Sequence, residues 1–310
     1  MVSIALATYN GEKYLKEQVD SLLAQTYKDI EIVACDDGSS DTTVKILQDY
    51  AAKDSRIKVF INEKNLGFAK NFEKTISNCR GEFIALCDQD DVWTEDHVEC
   101  LVNSIGDNDL VCGNAYLTDS ELNNSGIDLF STTDCEFLPQ KKEDWFFYFL
   151  HFGFFQGACT LFRKSLTETA LPIPEGIKFH DYWLSLTAAY RNGVKYLPEK
   201  CLIYYRQHGK NVTENKKLYF KDRIKISFEN KAVITKKDIQ NNLLNGFIER
   251  YPDTPEKKKV LRAASFFKRK GTLLRFIDIP YFFKNYKAIY LGTNKKRMLL
   301  RFVKIFIFGS

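Results

Sequence analysis

Over residues 1–113, short runs of consecutive apolar residues alternate with stretches whose apolar positions recur every three or four residues. The runs at 3–7, 30–36, 57–61, 83–87 and 110–112 predict strands, and the stretches at 12–24, 41–53, 68–79 and 95–104 predict helices. A strand that is apolar on both faces belongs in a sheet with helices packed on both sides. Asp41, ahead of Thr42 and Thr43, reads as the N-cap of the second helix. Regular alternation of this kind predicts an α/β fold with a mostly parallel, doubly wound central sheet.

The pattern loosens further along. Residues 114–150 are polar and then aromatic. Residues 153–162 read as a strand interrupted by Gly157, 181–191 as a helix, and 194–197 and 202–205 as two strands. After Lys210 the chain turns to basic helical segments, with amphipathic stretches at 220–237 and 255–270. No internal repeat or low-complexity tract is evident. The division expected is an α/β domain over 1–212 and a basic helical region over 213–310.

The chain has 310 residues and a net charge of +5. Residues 215–310 carry 24 Lys and Arg against 7 Asp and Glu, a net of +17, which leaves −12 on the first 214. A strongly basic tail on an acidic body suits a polyanionic partner: anionic lipid, nucleic acid or an acidic polymer. The eight cysteines contain no C-x-x-C pair and sit mostly in apolar surroundings, as reduced core thiols of a cytosolic protein do. No uninterrupted apolar run reaches the ~18–20 residues of a spanning helix. The expectation is a cytoplasmic protein, with a peripheral place on the inner face of the cell membrane open to its basic tail.

Two acidic clusters change the picture. Asp36-Asp37-Gly38-Ser39-Ser40-Asp41 follows the second apolar run, and Asp88-Gln89-Asp90-Asp91 follows the fourth. Carboxylates gathered at strand ends repel unless something positive joins them. In open α/β sheets, ligands bind in the crevice at the carboxyl ends of strands. Strand alternation sends Asp88 and Asp90 to one side, where two oxygen ligands suit Mg²⁺ or Mn²⁺; the alternative is a solvated acidic turn. Thr8, Tyr9 and Asn10 close the first strand with a hydroxyl, an aromatic face and an amide suited to a nucleobase, or else with a plain helix cap. Asp37 closes the neighbouring strand and can accept a pyrimidine N–H.

These motifs in order resemble the family-2 glycosyltransferases: Ala7-Thr8-Tyr9-Asn10-Gly11, Gln25-Thr26-Tyr27, Asp36 to Thr42, Asn65-Leu66-Gly67 and Asp88 to Trp93. The resemblance covers roughly residues 1–210. It implies the GT-A fold and transfer of a sugar, with inversion, from a nucleotide-diphosphate sugar (UDP- or dTDP-linked). It implies that Thr8, Tyr9 and Asp37 contact base and ribose, that Asp88 and Asp90 form the Asp-x-Asp pair, and that Asp90 is the stronger metal ligand. His180-Asp181-Tyr182-Trp183 stands where the family carries an acidic residue opening a helix, which makes Asp181 the general base; the alternative is an N-cap aspartate beside a packed or capping histidine. In the run from Tyr204 to Asn211, the resemblance implies His208 as a metal or diphosphate contact. Arg206 or Lys210 would neutralise the leaving diphosphate. Gln156 and Gly157 are similar to the family's acceptor-side strand. The His180-Asp181 and Gln207-His208-Gly209 motifs resemble the bacterial rhamnosyltransferase-like branch, which builds cell-wall and capsular polysaccharide.

The segment 273–308 mixes large apolar residues with Lys and Arg, as helices lying in a membrane interface do. A glycan or lipid-linked acceptor gives such contact a purpose; the alternative is a helical subdomain with a solvated basic face. A sugar nucleotidyltransferase would be expected to carry a glycine- and basic-rich phosphate loop, but residues 8–13 hold one glycine. A nucleic-acid-binding module is disfavoured by the acidic first part, and no nucleic-acid partner is expected. A dinucleotide-dependent oxidoreductase lacks the G-x-G-x-x-G after its first strand.

Overall fold

The protein is described from a computed structural model, which covers residues 1–133, 135–151, 153, 155–208, 236–270 and 272–307. Its first half follows the apolar pattern closely. Strands β1 (Val2–Thr8), β2 (Ile30–Asp36), β3 (Ile57–Ile61) and β4 (Phe83–Cys87) pair in parallel in the order β3-β2-β1-β4. Every residue of β2 is buried, including Glu31, whose carboxylate accepts from Ser3 Oγ and Arg80 N–H. Helices α1 (Leu15–Leu23), α2 (Thr43–Ala51), α3 (Phe68–Asn78) and α4 (His97–Ser104) connect and flank these strands. Helix α2 opens with Thr42 at the cap position. Asp41, one residue earlier than a cap, still accepts the Thr43 N–H at 2.9 Å.

The sheet then becomes mixed. Among the described residues it has nine strands, in the order β3-β2-β1-β4-β8-β6-β9-β5, with β7 (Asn124–Asp128) attached to β6. Strand β8 (Thr160–Arg163) runs antiparallel to both β4 and β6 (Leu110–Thr118). Strand β9 (Val194–Arg206) lies parallel to β6, and the two-residue β5 (Val92–Trp93) pairs antiparallel with β9. Parallel pairing therefore dominates the N-terminal half alone. The strand expected over 153–162 begins only at Thr160, because Gly157–Cys159 form a 3-10 turn. The two strands expected around 198–201 are one. Asn114 donates its amide to the Pro198 carbonyl at 2.6 Å where the β6–β9 register shifts.

Helices α5 (Lys142–Phe149), α6 (Thr167–Ala170) and α7 (His180–Tyr190) cover the second half. Beyond them come α8 (Lys236–Arg250), α9 (Lys257–Arg269), α10 (Ile279–Tyr290) and α11 (Lys295–Phe302). Phe247 of α8 packs its ring on Phe146, Trp183 and Tyr190 of the α/β body, so one apolar core runs through both parts. All eight cysteines are free thiols, five of them buried. The expected boundary at 212/213 and the amphipathic stretch 220–237 lie wholly or mainly outside the described residues.

Candidate active site

The carboxyl ends of β1, β2 and β4 meet at the two acidic clusters. Asp36 is fully buried and saturated with donors. It accepts from Thr8 Oγ1 at 2.9 Å, from the Gly38 and Ser39 N–H groups at 3.1 and 2.8 Å, and from Ser39 Oγ at 2.6 Å. Asp37 accepts Asn62 Nδ2–H and Leu66 N–H on one oxygen, each at 2.8 Å, and Gly67 N–H on the other at 2.9 Å. Gly67 sits at φ +83°, which lets the loop turn both N–H groups toward Asp37 before α3 begins.

The loop after β1 is fixed from the other side. Gln89 accepts Tyr9 N–H at 2.8 Å and donates to the Tyr9 carbonyl at 3.0 Å. A Cβ on Gly11 would stand 2.2 Å from Gln89 Oε1, so only glycine leaves that amide in place. Asn10 turns away, accepting Ser40 N–H at 2.9 Å.

The second acidic cluster is different. Asp88 carries no side-chain hydrogen bond among the described residues. Burial pushes its carboxyl well above the usual range, and the charges of Asp90 and Asp181 push it further. Asp91 is completely buried, and burial followed by the charges of Asp90 and Asp88 raises it too, although Arg206 N–H reaches one of its oxygens at 3.0 Å. Asp90 lies 2.8 Å from His208 Nε2.

Arg206 is where the structure departs most from expectation. Its side chain is buried and fully engaged: Nε donates to the Asp90 carbonyl at 2.8 Å, one terminal nitrogen to the Ser120 carbonyl at 2.5 Å, and the other to Glu17. The guanidinium also stacks 4.4 Å over the Tyr14 ring. It therefore fastens the Asp90–Asp91 turn, β9 and α1 together and does not reach into the cavity. Lys210, the other expected counter-charge, lies outside the described residues.

Asp181 opens α7 from the far wall. Burial pushes its carboxyl up to about 7, opposed by the N–H groups of Tyr182 and Gly157. A Cβ on Gly157 would lie 3.4 Å from both Asp181 Cβ and His180 Nε2, so this glycine sets a close wall. His180 is packed rather than capping. Its ring stacks on Phe72 at 3.9 Å, burial pushes it down to about 3, and neither nitrogen has a hydrogen-bond partner among the described residues.

These walls enclose a cavity of about 370 Å³. Of the residues singled out from sequence, Thr8, Tyr9, Asp37, Asp88, Asp90, Gln156, Gly157 and Asp181 line it; Asn10, Arg206 and His208 stand behind it. Gln89, Asn71 and Phe68 also line it without having been marked. The two-way tie between Gln89 and the Tyr9 backbone joins residues 80 apart in sequence, so no local pattern signals it. Among the described residues, no three His, Cys, Asp or Glu side chains form a ready metal nest. The donor set still suits a hard cation: Asp90 and His208 are in contact, and the unpartnered carboxyl of Asp88 stands close to Asp90.

Comparison with known proteins agrees with this architecture. The family model described as Glycosyl transferase family 2 matches residues 3–171. Glycosyltransferase GlyG of Streptococcus pneumoniae is 37% identical over 118 residues, which span 37% of this chain and 39% of GlyG. EpsH of Bacillus subtilis is 32% identical over 232 residues, 70% of this chain and 64% of EpsH. The chain thus spans less than two thirds of either relative. Among solved structures, S. aureus TarS in complex with UDP-GlcNAc superposes with a TM-score of 0.57 at 18% identity, over 98% of this chain and 80% of that one. The mannosyltransferase PcManGT of Pyrobaculum calidifontis, in complex with GDP-Man and Mn²⁺, gives 0.54 at 17% identity, over 97% and 78%. With more than half of its length matched by the family model, this chain belongs to glycosyl transferase family 2 and has the GT-A type of α/β fold.

Proposed function

We propose that the protein is an inverting, metal-dependent glycosyltransferase that takes a UDP- or dTDP-linked sugar as donor. The observation that carries this is the convergence of Asp37, Asp88, Asp90 and Asp181 on one cavity from three places in the fold: the end of β2, the turn after β4 and the start of α7. Carboxylates gathered around one cavity fit a ligand that supplies a metal ion and a diphosphate.

In this reading the base and ribose lie along Thr8, Tyr9 and Asp37. Asp90 and His208 would hold a Mg²⁺ or Mn²⁺ ion with Asp88 beside it, and the ion would neutralise charge on the departing diphosphate. An acceptor hydroxyl enters past Gln156 and Gly157. Its oxygen bonds to the anomeric carbon as the bond from that carbon to the diphosphate oxygen breaks, and its proton passes to Asp181. A carboxyl raised to about 7 is a stronger base than a solvated aspartate and is still ionised in a useful fraction at neutral pH.

The acceptor would be a glycan or a lipid-linked glycan of bacterial cell-wall or capsular polysaccharide. The likeness of His180-Asp181 and Gln207-His208 to rhamnosyltransferases makes a rhamnose donor the first to try. The basic C-terminal part would hold the enzyme at the inner face of the cell membrane as a peripheral protein.

A panel of nucleotide-sugars with Mn²⁺ or Mg²⁺, read by release of nucleoside diphosphate, tests the reading. Turnover of one donor with nucleoside diphosphate as product supports it. Release of pyrophosphate would point to nucleotidyl transfer instead, and no turnover of any donor would count against both.

A further inference from the structure

The C-terminal helices keep a set of large apolar side chains in solvent. Leu273 is 83% exposed, Leu274 60% and Ile277 62%, all on a 3-10 segment (Leu273–Asp278) that leads into α10. Leu299 and Leu300 of α11 are 59% and 61% exposed, and Ile307 is 56%. Contacts of the backbone and rings bring these positions together. Arg275 donates from Nε to the Phe306 carbonyl at 2.9 Å and from a terminal nitrogen to the Ile307 carbonyl at 3.3 Å. That clasps the 3-10 segment to the π-helical turn Val303–Ile307 at the end of α11. The Phe283 and Phe302 rings, 5.3 Å apart, join α10 to α11. The result is one apolar face rather than scattered leucines, and a lone soluble chain seldom keeps such a face open.

The charge around it has a single sign. Residues 272–307 hold eight Lys and Arg and one acid, Asp278. Asp278 is 1% exposed and lies beneath Arg262 and Arg269 at 2.7 and 2.8 Å, so its charge is cancelled inside the fold. Lys284, Lys287, Lys295, Lys296 and Lys304 are exposed.

We infer that Leu273, Leu274 and Ile277, with Leu299, Leu300 and Ile307, form a wedge that enters the interface of an anionic lipid bilayer while the surrounding lysines meet its headgroups. This rests on the peripheral placement proposed above and gives it a partner and a surface. A single-stranded nucleic acid rewards cations and flat rings, and exposed leucine and isoleucine side chains offer it no stacking face. A second copy of this face would bring like charge against like charge. A bilayer surface answers both halves, apolar below and anionic above. No helix among the described residues is long and apolar enough to cross a membrane, so the contact is interfacial. Tyr281, in the first turn of α10, meets His151 Nε2 through its hydroxyl at 2.8 Å, and His151 lies just before the segment carrying Gln156 and Gly157.

The test is co-sedimentation of the full chain with vesicles of phosphatidylcholine alone or with added phosphatidylglycerol. The wild-type chain is expected to bind the anionic vesicles at least ~10-fold better, and to keep part of that binding in high salt, since the apolar share is not screened. Leu273→Asp/Ile277→Asp should cost ~10-fold or more, with an unchanged circular-dichroism spectrum. Equal binding by that variant, equal binding to both vesicles or no binding at all overturns the wedge. So does a concentration-dependent dimer in sedimentation velocity that the double substitution abolishes, because the face would then belong to a second copy. Nucleotide-sugar hydrolysis in lipid-free solution should be the same in both chains; its absence from both would tell against the enzymatic reading and leave the wedge standing.

Discussion

The two acidic clusters sit at the ends of β2 and β4, on either side of β1, yet their surroundings are opposite. Asp36 and Asp37 accept seven hydrogen bonds between them from nearby N–H and O–H groups. Asp88 accepts none on its side chain among the described residues, and Asp90 meets only an imidazole there. Donors aimed at a carboxylate favour its charged form, whereas burial and neighbouring charge oppose it. The first cluster is therefore built into the scaffold: its charge holds the 38–41 and 65–67 loops in place. Among the described residues, the second has no comparable set of donors on its Asp88 and Asp90 carboxylates. A polar group so left inside a fold marks where a ligand completes it.

The contrast can be broken in order of expected effect. Asp90→Ala and Asp181→Asn should each lower turnover by ~10²–10⁴-fold while leaving the circular-dichroism spectrum intact. Near wild-type rates in either variant would remove that residue from the chemistry. Asp37→Ala should instead act on stability. It takes the acceptor from Leu66 N–H and from one Asn62 amide hydrogen, while Gly67 N–H keeps Asn65 Oδ1, at a cost of ~1–3 kcal/mol, visible as a lower midpoint in urea. If Asp37→Ala unfolded like wild type and lost only donor binding, the scaffold role would be wrong.

The pH dependence follows from the sign of one shift. Asp181 is raised to about 7 in the folded protein, so it is protonated below that value and available as a base above it. The log of kcat/KM should rise with pH through a limb near 7 and then level off. The same sign applies to stability. A carboxyl with a raised folded pKa favours the folded state at low pH, and that help is lost as pH rises toward 7. Asp181→Asn should thus melt higher than wild type at pH 8, by ~2–4 °C or more, with the gain gone near pH 4. A flat activity profile between pH 6 and 8 would deny Asp181 its shifted pKa. The smallest effect is expected from Gln89→Ala, which frees the Tyr9 loop: a weaker donor KM with kcat little changed.

Much of this was legible in the sequence where structure is local. The parallel half could be read because β4 is an unbroken apolar run and β2 is apolar from Ile32 to Cys35, and the ends of both carry the acids. The fate of Arg206 could not be read. Beside Tyr204 and Tyr205 it looked like a basic loop residue, but its partners Glu17, Asp91 and Ser120 come from three distant parts of the chain. The mixed half of the sheet was equally hidden. Pro198-Glu199-Lys200 interrupts the apolar pattern of β9, and only the Asn114 side chain, reaching across from β6, shows how one strand passes through. Asp181 could be marked from its motif, but its closeness to Asp88 is a property of the fold.

The central claim of the proposal is that a cation joins Asp88, which accepts no donor among the described residues, to Asp90, which meets only His208 there. Calorimetric titration with Mn²⁺ in the presence of UDP tests it most directly. The account predicts binding of one ion by the wild-type chain and loss of that binding in Asp90→Ala, with the fold retained. No Mn²⁺ binding by wild type, or equal binding by the variant, would contradict it.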